Sequence, residues 1–176
     1  GNSQEYMDVV EKHPNMAGGF IWDFVDQAIR KIGSDGQVQW LYGGDFGEEY
    51  SHRYFCANGI VSADRTPHPS YFEVKKVYQR IQVKPVDLIN GLVRVDNNYN
   101  FLDLSEFRLE WTLTENGNVL ERQTIEDLSL PAGESKELKL NFKNIKFAQG
   151  MEHHLFIAFL TKNDTIAGCT THRKTR

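Results

Sequence analysis

Gly18-Gly19-Phe20-Ile21-Trp22-Asp23-Phe24-Val25-Asp26-Gln27 is the stretch on which the fold turns. Residues 18–25 form a short apolar run opened by two glycines. Such a run reads as a β-strand buried on both faces, as in a parallel sheet. Upstream, Tyr6, Val9 and Val10 recur at near-helical spacing between Gln4 and Lys12. Ser3 is the expected N-cap of that helix and Pro14 its terminator. A helix followed by a buried strand is half of a βαβ unit. Downstream, residues 27–67 are a long excursion. A hairpin is expected within it from Ile29 to Trp40, turning at Ser34-Asp35-Gly36. From His68 to Gln79, Tyr71, Val74, Val77 and Tyr78 mark one face of an amphipathic helix, with Pro69 in its first turn.

These elements pose a physical problem. A lone parallel strand needs partners on both sides, and a domain this small buries only about 60% of its unfolded surface even when complete. One helix, one buried strand, a long loop and a second helix fit the closing part of a (β/α)8 TIM barrel. In such barrels the active site lies at the C-terminal ends of the strands. Trp22 to Asp26 would sit there, and residues 27–67 would be the elaborated last loop.

Composition changes near residue 81. Two of the three Trp and nine of the fourteen Gly lie in residues 1–80. A boundary is expected between Arg80 and Val83, giving domains 1–80 and 81–176. The second domain reads as strands. Leu92 to Asn97 alternates, and Phe107 to Leu113 alternates strictly. Glu115-Asn116-Gly117-Asn118 then supplies an Asn-Gly hairpin signal, answered by Val119 to Ile125. Ser135 to Phe142, His154 to Thr161 and, after a turn at Asn163-Asp164, Ile166 to Thr170 follow. About seven short strands in about 95 residues predict an antiparallel β-sandwich of immunoglobulin type. The fold class is therefore α/β plus all-β.

The chain is 40% hydrophobic, with a net charge of −4 and a pI near 5.9. That balance offers no basic footprint for nucleic acid. The longest apolar run, Leu155 to Leu160, is too short to span a membrane as a helix. Cys56 and Cys169 lie in segments of different character, so neither a disulfide framework nor a structural zinc site is expected. The chain opens on Gly1 rather than Met, so the native N-terminus is expected to lie elsewhere, and the compartment stays open between cytoplasm and periplasm.

Three further clusters carry chemistry: Tyr42-Gly43-Gly44-Asp45-Phe46-Gly47, Phe55-Cys56-Ala57-Asn58-Gly59 and Asp64-Arg65-Thr66-Pro67-His68-Pro69. Glycines, aromatics and carboxylates at this density read as a polar pocket with an aromatic wall, the way proteins hold sugars. Each residue also has a structural reading. Trp22 and Phe55 could be core, and Asn58 a turn residue. Asp45 would satisfy loop amides, and Asp64-Arg65 would be an ion pair or loop anchor. His68 would open a helix. His153 and His154 would point to opposite faces of a strand, which is no natural metal pair.

In order and spacing, Gly1-Asn2-Ser3, the 18–27 segment and the three clusters resemble the large bacterial β-galactosidases of glycoside hydrolase family 2. The resemblance is dense over residues 1–80 and loose over 81–176. It implies hydrolysis of terminal β-D-galactosides, such as lactose, with retention, by two Glu whose carboxyls stand roughly 5–5.5 Å apart. The nucleophile would lie a few residues before Gly1 and the acid/base further upstream. The resemblance thus assigns no catalytic residue to this chain, and Asp23, Asp26 and Asp45 match no catalytic position. Trp22 matches the aromatic wall beneath the sugar, with a cis peptide to Asp23. Asn58 matches a substrate-binding position. With the Phe55 carbonyl, its side-chain oxygen would also ligate Na+, a hard cation that takes oxygen donors. The remaining Na+ ligand, an Asp, and the family's Mg2+ ligands would lie outside this chain. His52 stands where the family's best-known member has an acidic residue. The implied partners are a β-galactoside and the remainder of a parent polypeptide, with self-association of the isolated chain through residues 1–80. Against this stand a non-catalytic carbohydrate-binding module, a purely structural module, and family relatives acting on β-mannosides or β-glucuronides.

Overall fold

The computed structural model describes residues 2–52, 55–142, 145, 147, 149–163 and 165–173. The chain divides into two units between Tyr78 and Gln79, a little before the expected boundary.

The first unit opens with α1 (Ser3–Lys12). Ser3 is its first helical residue, not its cap. Asn2 takes the cap position, and its side chain makes no capping bond. The helix ends at His13, in extended backbone (φ −113°), as required of the residue before Pro14. None of its residues is buried.

Residues 18–25 are not the buried strand expected of them. Val25 alone bridges, in parallel to Val61, and Phe20, Ile21, Trp22 and Phe24 are exposed. A strand buried on both faces needs a hydrogen-bonded neighbour on each side. Among the described residues only the 58–61 segment makes main-chain hydrogen bonds to this run. The hairpin is where the sequence puts it. β1 (Ile29–Ile32) pairs antiparallel with β2 (Val38–Leu41), and Ile32 stands opposite Val38. Gly36 takes φ +79° in the turn, and the Asp35 carboxylate accepts from Gln37 N–H at 3.0 Å. α2 (Pro69–Val77) starts on proline as expected. It stops short of Gln79, with Tyr78 as its cap and Tyr78 N–H donating to the Val74 carbonyl at 2.9 Å.

The second unit is a β-sandwich of two antiparallel sheets. One sheet has the order β3 (Ile81–Asp87), β4 (Leu92–Asn97), β7 (Ser135–Lys139). The other has the order β6 (Asn118–Ile125), β5 (Arg108–Glu115), β8 (His153–Leu160), β9 (Ile166–Arg173). Strict alternation on β5 turns Leu109, Trp111 and Leu113 inward, where they are almost fully buried. Val93, Val95, Leu104, Leu140, Ile157 and Phe159 complete the core around them. Trp111 packs edge-on to Phe142 with ring centroids 5.4 Å apart. Asn116 (φ +47°) and Gly117 (φ +84°) make the primed turn that Asn-Gly encodes. Buried Asn97 ties loops to β4: its amide donates to the Leu102 and Leu130 carbonyls, and its oxygen accepts from Tyr99 N–H. His153 is buried, with Nε2 2.8 Å from a Glu115 oxygen, while His154 faces the other way. Of the expected turn at Asn163-Asp164, Asp164 lies outside the described residues.

β3 is a strand the sequence did not announce, because Pro85 interrupts it. Proline is tolerated there because β3 is an edge strand, and the register shifts between Pro85 and Asp87.

Candidate functional site

The site is built on two segments of the first unit that run beside each other. Asp23 N–H donates to the Asn58 carbonyl (2.9 Å), Ile60 N–H to the Asp23 carbonyl (3.0 Å) and Val61 N–H to the Phe24 carbonyl (3.0 Å). Asp26 N–H donates to the Val61 carbonyl (2.9 Å) and Gln27 N–H to the Cys56 carbonyl (2.8 Å). These bonds hold residues 23–27 against 56–61. Gly59 makes the close approach possible, since a Cβ there would collide with the backbone of Val25, Asp26 and Val61.

The Trp22–Asp23 peptide is cis. Trp22 is 71% exposed, unusual for a Trp that nothing else recruits. Its indole is nonetheless tethered. In the amide orientation that satisfies both of its sides, Asn58 Oδ1 accepts from Trp22 Nε1 at 3.2 Å, and its Nδ2 donates to the Cys56 carbonyl at 3.2 Å. Trp22 and Phe55 both line a hollow of about 600 Å³, whose wall also includes Tyr42, Phe46, Glu48 and His52. The Phe55 ring is exposed and meets the His52 ring edge-on at 6.4 Å.

The carboxylates near the hollow are occupied with holding backbone. Asp23 accepts from Gln27 Nε2 (3.0 Å) and Phe24 N–H (2.5 Å), and these bonds hold its pKa below the ordinary carboxylate value. Asp45 accepts from Tyr42 N–H at 2.9 Å, the loop role expected of it. Glu48 accepts from Gly44 N–H (2.6 Å) and Phe46 N–H (3.0 Å), and its pKa is lowered, first by the Gly44 amide. Asp64 accepts from Thr66 N–H, and Arg65 donates to the Ala63 carbonyl, so each anchors the loop separately. An exposed carboxylate held ionised in this way is a poor proton donor near neutral pH.

Two family models match successive parts of the chain. Residues 1–83 match "Glycosyl hydrolases family 2, TIM barrel domain", and residues 93–172 match "Beta-galactosidase, domain 4". The chain belongs to glycosyl hydrolase family 2. A β-galactosidase of Klebsiella pneumoniae is 41% identical over 140 residues, 80% of this chain and 13% of the relative. One of Psychromonas ingrahamii is 36% identical over 164 residues, 93% of this chain and 16% of the relative. One of Pseudoalteromonas haloplanktis is 33% identical over 171 residues, 94% of this chain and 16% of the relative. The chain therefore spans only a small part of the length of the curated relatives it matches.

Within this family 2 chain, the fold brings Trp22 together with Asn58 directly and with Phe55 across the hollow. Sequence reasoning missed a further group. Asp26 Oδ1 accepts from Gly59 N–H at 2.8 Å. His68 Nδ1 lies 3.0 Å from the Gly59 carbonyl, and its Nε2 lies 2.9 Å from Ser62 Oγ and 3.5 Å from Asp26 Oδ2. The Asp64 to Pro69 cluster signalled a special loop, but nothing in the spacing joined His68 to Gly59 or to Asp26.

Proposed function

We propose that this chain is part of a retaining β-galactosidase and supplies the aromatic side of its sugar site. In this reading residues 1–80 close a (β/α)8 barrel and residues 81–176 are an immunoglobulin-type sandwich. One observation carries it: an exposed Trp22, tethered through its indole to Asn58, on the wall of a hollow shared with Phe55. A sugar's C–H face stacks on such a ring while its hydroxyls stay free for hydrogen bonds. The names of the relatives support β-galactosides as the substrate class. The Phe55 carbonyl and Asn58 Oδ1 are neutral oxygens suited to Na+, and Oδ1 keeps a second lone pair beside its bond to Trp22. A sodium ion there would supply a fixed positive charge for sugar hydroxyls, with its remaining Asp ligand from outside this chain. Any Mg2+ ligands would also lie outside it.

The chain alone is inactive in this reading, because both catalytic glutamates would come from outside it; Asp23, Asp45 and Glu48, near the hollow, accept from loop amides. The test is hydrolysis of a chromogenic β-galactoside by this chain, alone and mixed with a separately made N-terminal piece. Activity only in the mixture is expected. Turnover by the pure chain, or none from an assembled mixture, refutes the reading. The apolar face formed by Tyr6, Met7, Phe20, Ile21, Val74 and Tyr78 is then the one the rest of the parent covers. Left bare, it drives self-association, which light scattering on the isolated chain measures; a strictly monomeric chain counts against it. The second reading is a sugar-binding module without chemistry, in which Trp22, Tyr42, Phe46 and Phe55 on the walls of the hollow are the platform. A calorimetric titration with galactose or lactose that gives no signal removes it.

A further inference from the structure

The Gly59 peptide is held differently from its neighbours. Asn58, Ile60 and Val61 exchange main-chain bonds with residues 23–26. Gly59 is instead gripped at both polar groups by side chains. Its N–H donates to Asp26 Oδ1 (2.8 Å), and its carbonyl accepts from His68 Nδ1 (3.0 Å). A carbonyl only accepts, so Nδ1 carries the proton. In the neutral ring Nε2 is then an acceptor, and Ser62 Oγ–H, 2.9 Å away, donates to it. Nδ1–H thus reaches Gly59 whether Nε2 accepts from Ser62 or, in the imidazolium, faces Asp26 Oδ2 at 3.5 Å. His68 itself is pinned: its N–H donates to the Ile60 carbonyl (3.0 Å), and Pro69 begins α2 immediately after it.

Glycine has the widest backbone freedom of any residue, so its orientation must be imposed from outside. That orientation sets the direction of the adjoining Asn58, and Asn58 holds the Trp22 indole. We propose that Asp26 and His68 are positioning residues for Trp22: by gripping the two peptides that flank the Gly59 Cα, Asp26 at the Asn58–Gly59 N–H and His68 at the Gly59–Ile60 carbonyl, they set the Asn58 side-chain amide that tethers the aromatic platform. The link to catalysis rests on the β-galactosidase reading above; the grip itself does not. Neither residue is among those lining the hollow with Trp22, so both act through Asn58.

The test begins with this chain, labelled with ¹⁵N, by following the Trp22 indole and Gly59 amide resonances. His68→Ala and Asp26→Ala are expected to move both, while the indole of Trp111, in the sandwich, stays in place as a folding control. His68→Asn keeps a nitrogen donor where Nδ1 sits and is expected to restore the Trp22 position. His68→Gln places its nitrogen where Nε2 sits and is expected not to. If the alanine variants lose all dispersion in residues 1–78, the Asn and Gln pair decides. An unmoved Trp22 in His68→Ala, or equal displacement by Asn and Gln, overturns the proposal. In the parent polypeptide, His68→Gln is expected to raise KM about three- to tenfold with kcat little changed, the size of one lost hydrogen bond expressed in substrate binding. An unchanged KM beside a displaced Trp22 overturns the functional half. A wild-type parent without β-galactosidase activity, but with the expected resonance pattern, refutes the enzyme reading and leaves the positioning intact.

Discussion

Asp96→Asn tests the electrostatics of the sandwich. Asp96 lies on β4, and its carboxylate accepts from Lys84 Nζ and Arg94 Nε, each at 2.7 Å. Burial pushes its pKa up; hydrogen bonds from Lys84, Arg94 and Ser135 outweigh that and hold it at about 2, against an ordinary 3.8. A fall from 3.8 to about 2 is worth about 2.4 kcal/mol of folding stability. The Asp96 side chain is only 8% exposed, but Lys84 and Arg94 are 60% and 53% exposed. Water and salt on that side reduce the figure to about 1–2 kcal/mol. The depressed pKa sets the sign. The contribution is complete above about pH 5 and is lost progressively as pH falls through 3.8 and then about 2, with the last of it gone at about pH 1. The Asn variant is therefore expected to be less stable than wild type at pH 7 by about 1–2 kcal/mol. The difference should shrink to roughly a fifth of its pH 7 value near pH 2, because the native carboxylate is by then half protonated, while the other carboxylates titrate in both proteins and cancel. Urea unfolding followed on the Trp111 indole resonance at pH 7, 4 and 2 measures it. A variant as stable as wild type at pH 7, or a deficit that persists undiminished at pH 2, refutes the reasoning.

Gly91 and Gly133 both hold positive φ (+71° and +79°), but a Cβ at Gly91 would strike the Leu140 carbonyl while one at Gly133 meets open space. Urea titration should show Gly133→Ala costing about 1 kcal/mol and Gly91→Ala clearly more; equal costs would mean that strain alone decides both. Gly59→Ala is expected to break the lacing of residues 23–27 to 56–61, seen as fast amide exchange at Asp23, Ile60 and Val61 with the sandwich still protected. In an assembled parent enzyme, Trp22→Ala should weaken galactoside binding about tenfold, the scale of one lost stacking surface, read as KM for a chromogenic substrate. A KM within twofold of wild type would remove Trp22 from the sugar site.

The sandwich was legible because its code is local. Alternation on β5 and the Asn116-Gly117 turn each specify geometry within a few residues, and the structure follows both. β3 escaped because Pro85 reads as a breaker, and only its edge position excuses it. The 18–25 run misled for a different reason. An apolar sequence states that it needs covering, but not whether the cover lies in the same chain. Here Phe20, Trp22 and Phe24 stand in water. Among the site residues, Trp22, Phe55 and Asn58 were nameable from their motifs. The Asp26 and His68 grip was not, since it joins residues 33 and 9 positions from Gly59 through bonds that no period encodes.

The margins of the smaller sandwich sheet have a consequence for how molecules meet. β3 offers a proline without an N–H and a shifted register at one margin. β7 at the other is five residues long and carries Lys136, Glu137 and Lys139. An extended peptide arriving at either side finds an interrupted row of donors or a short, charged one. Two copies colliding flank to flank have little to zip together. This sheet is therefore a poor seed for fibre growth, whatever the concentration at which the chain is handled.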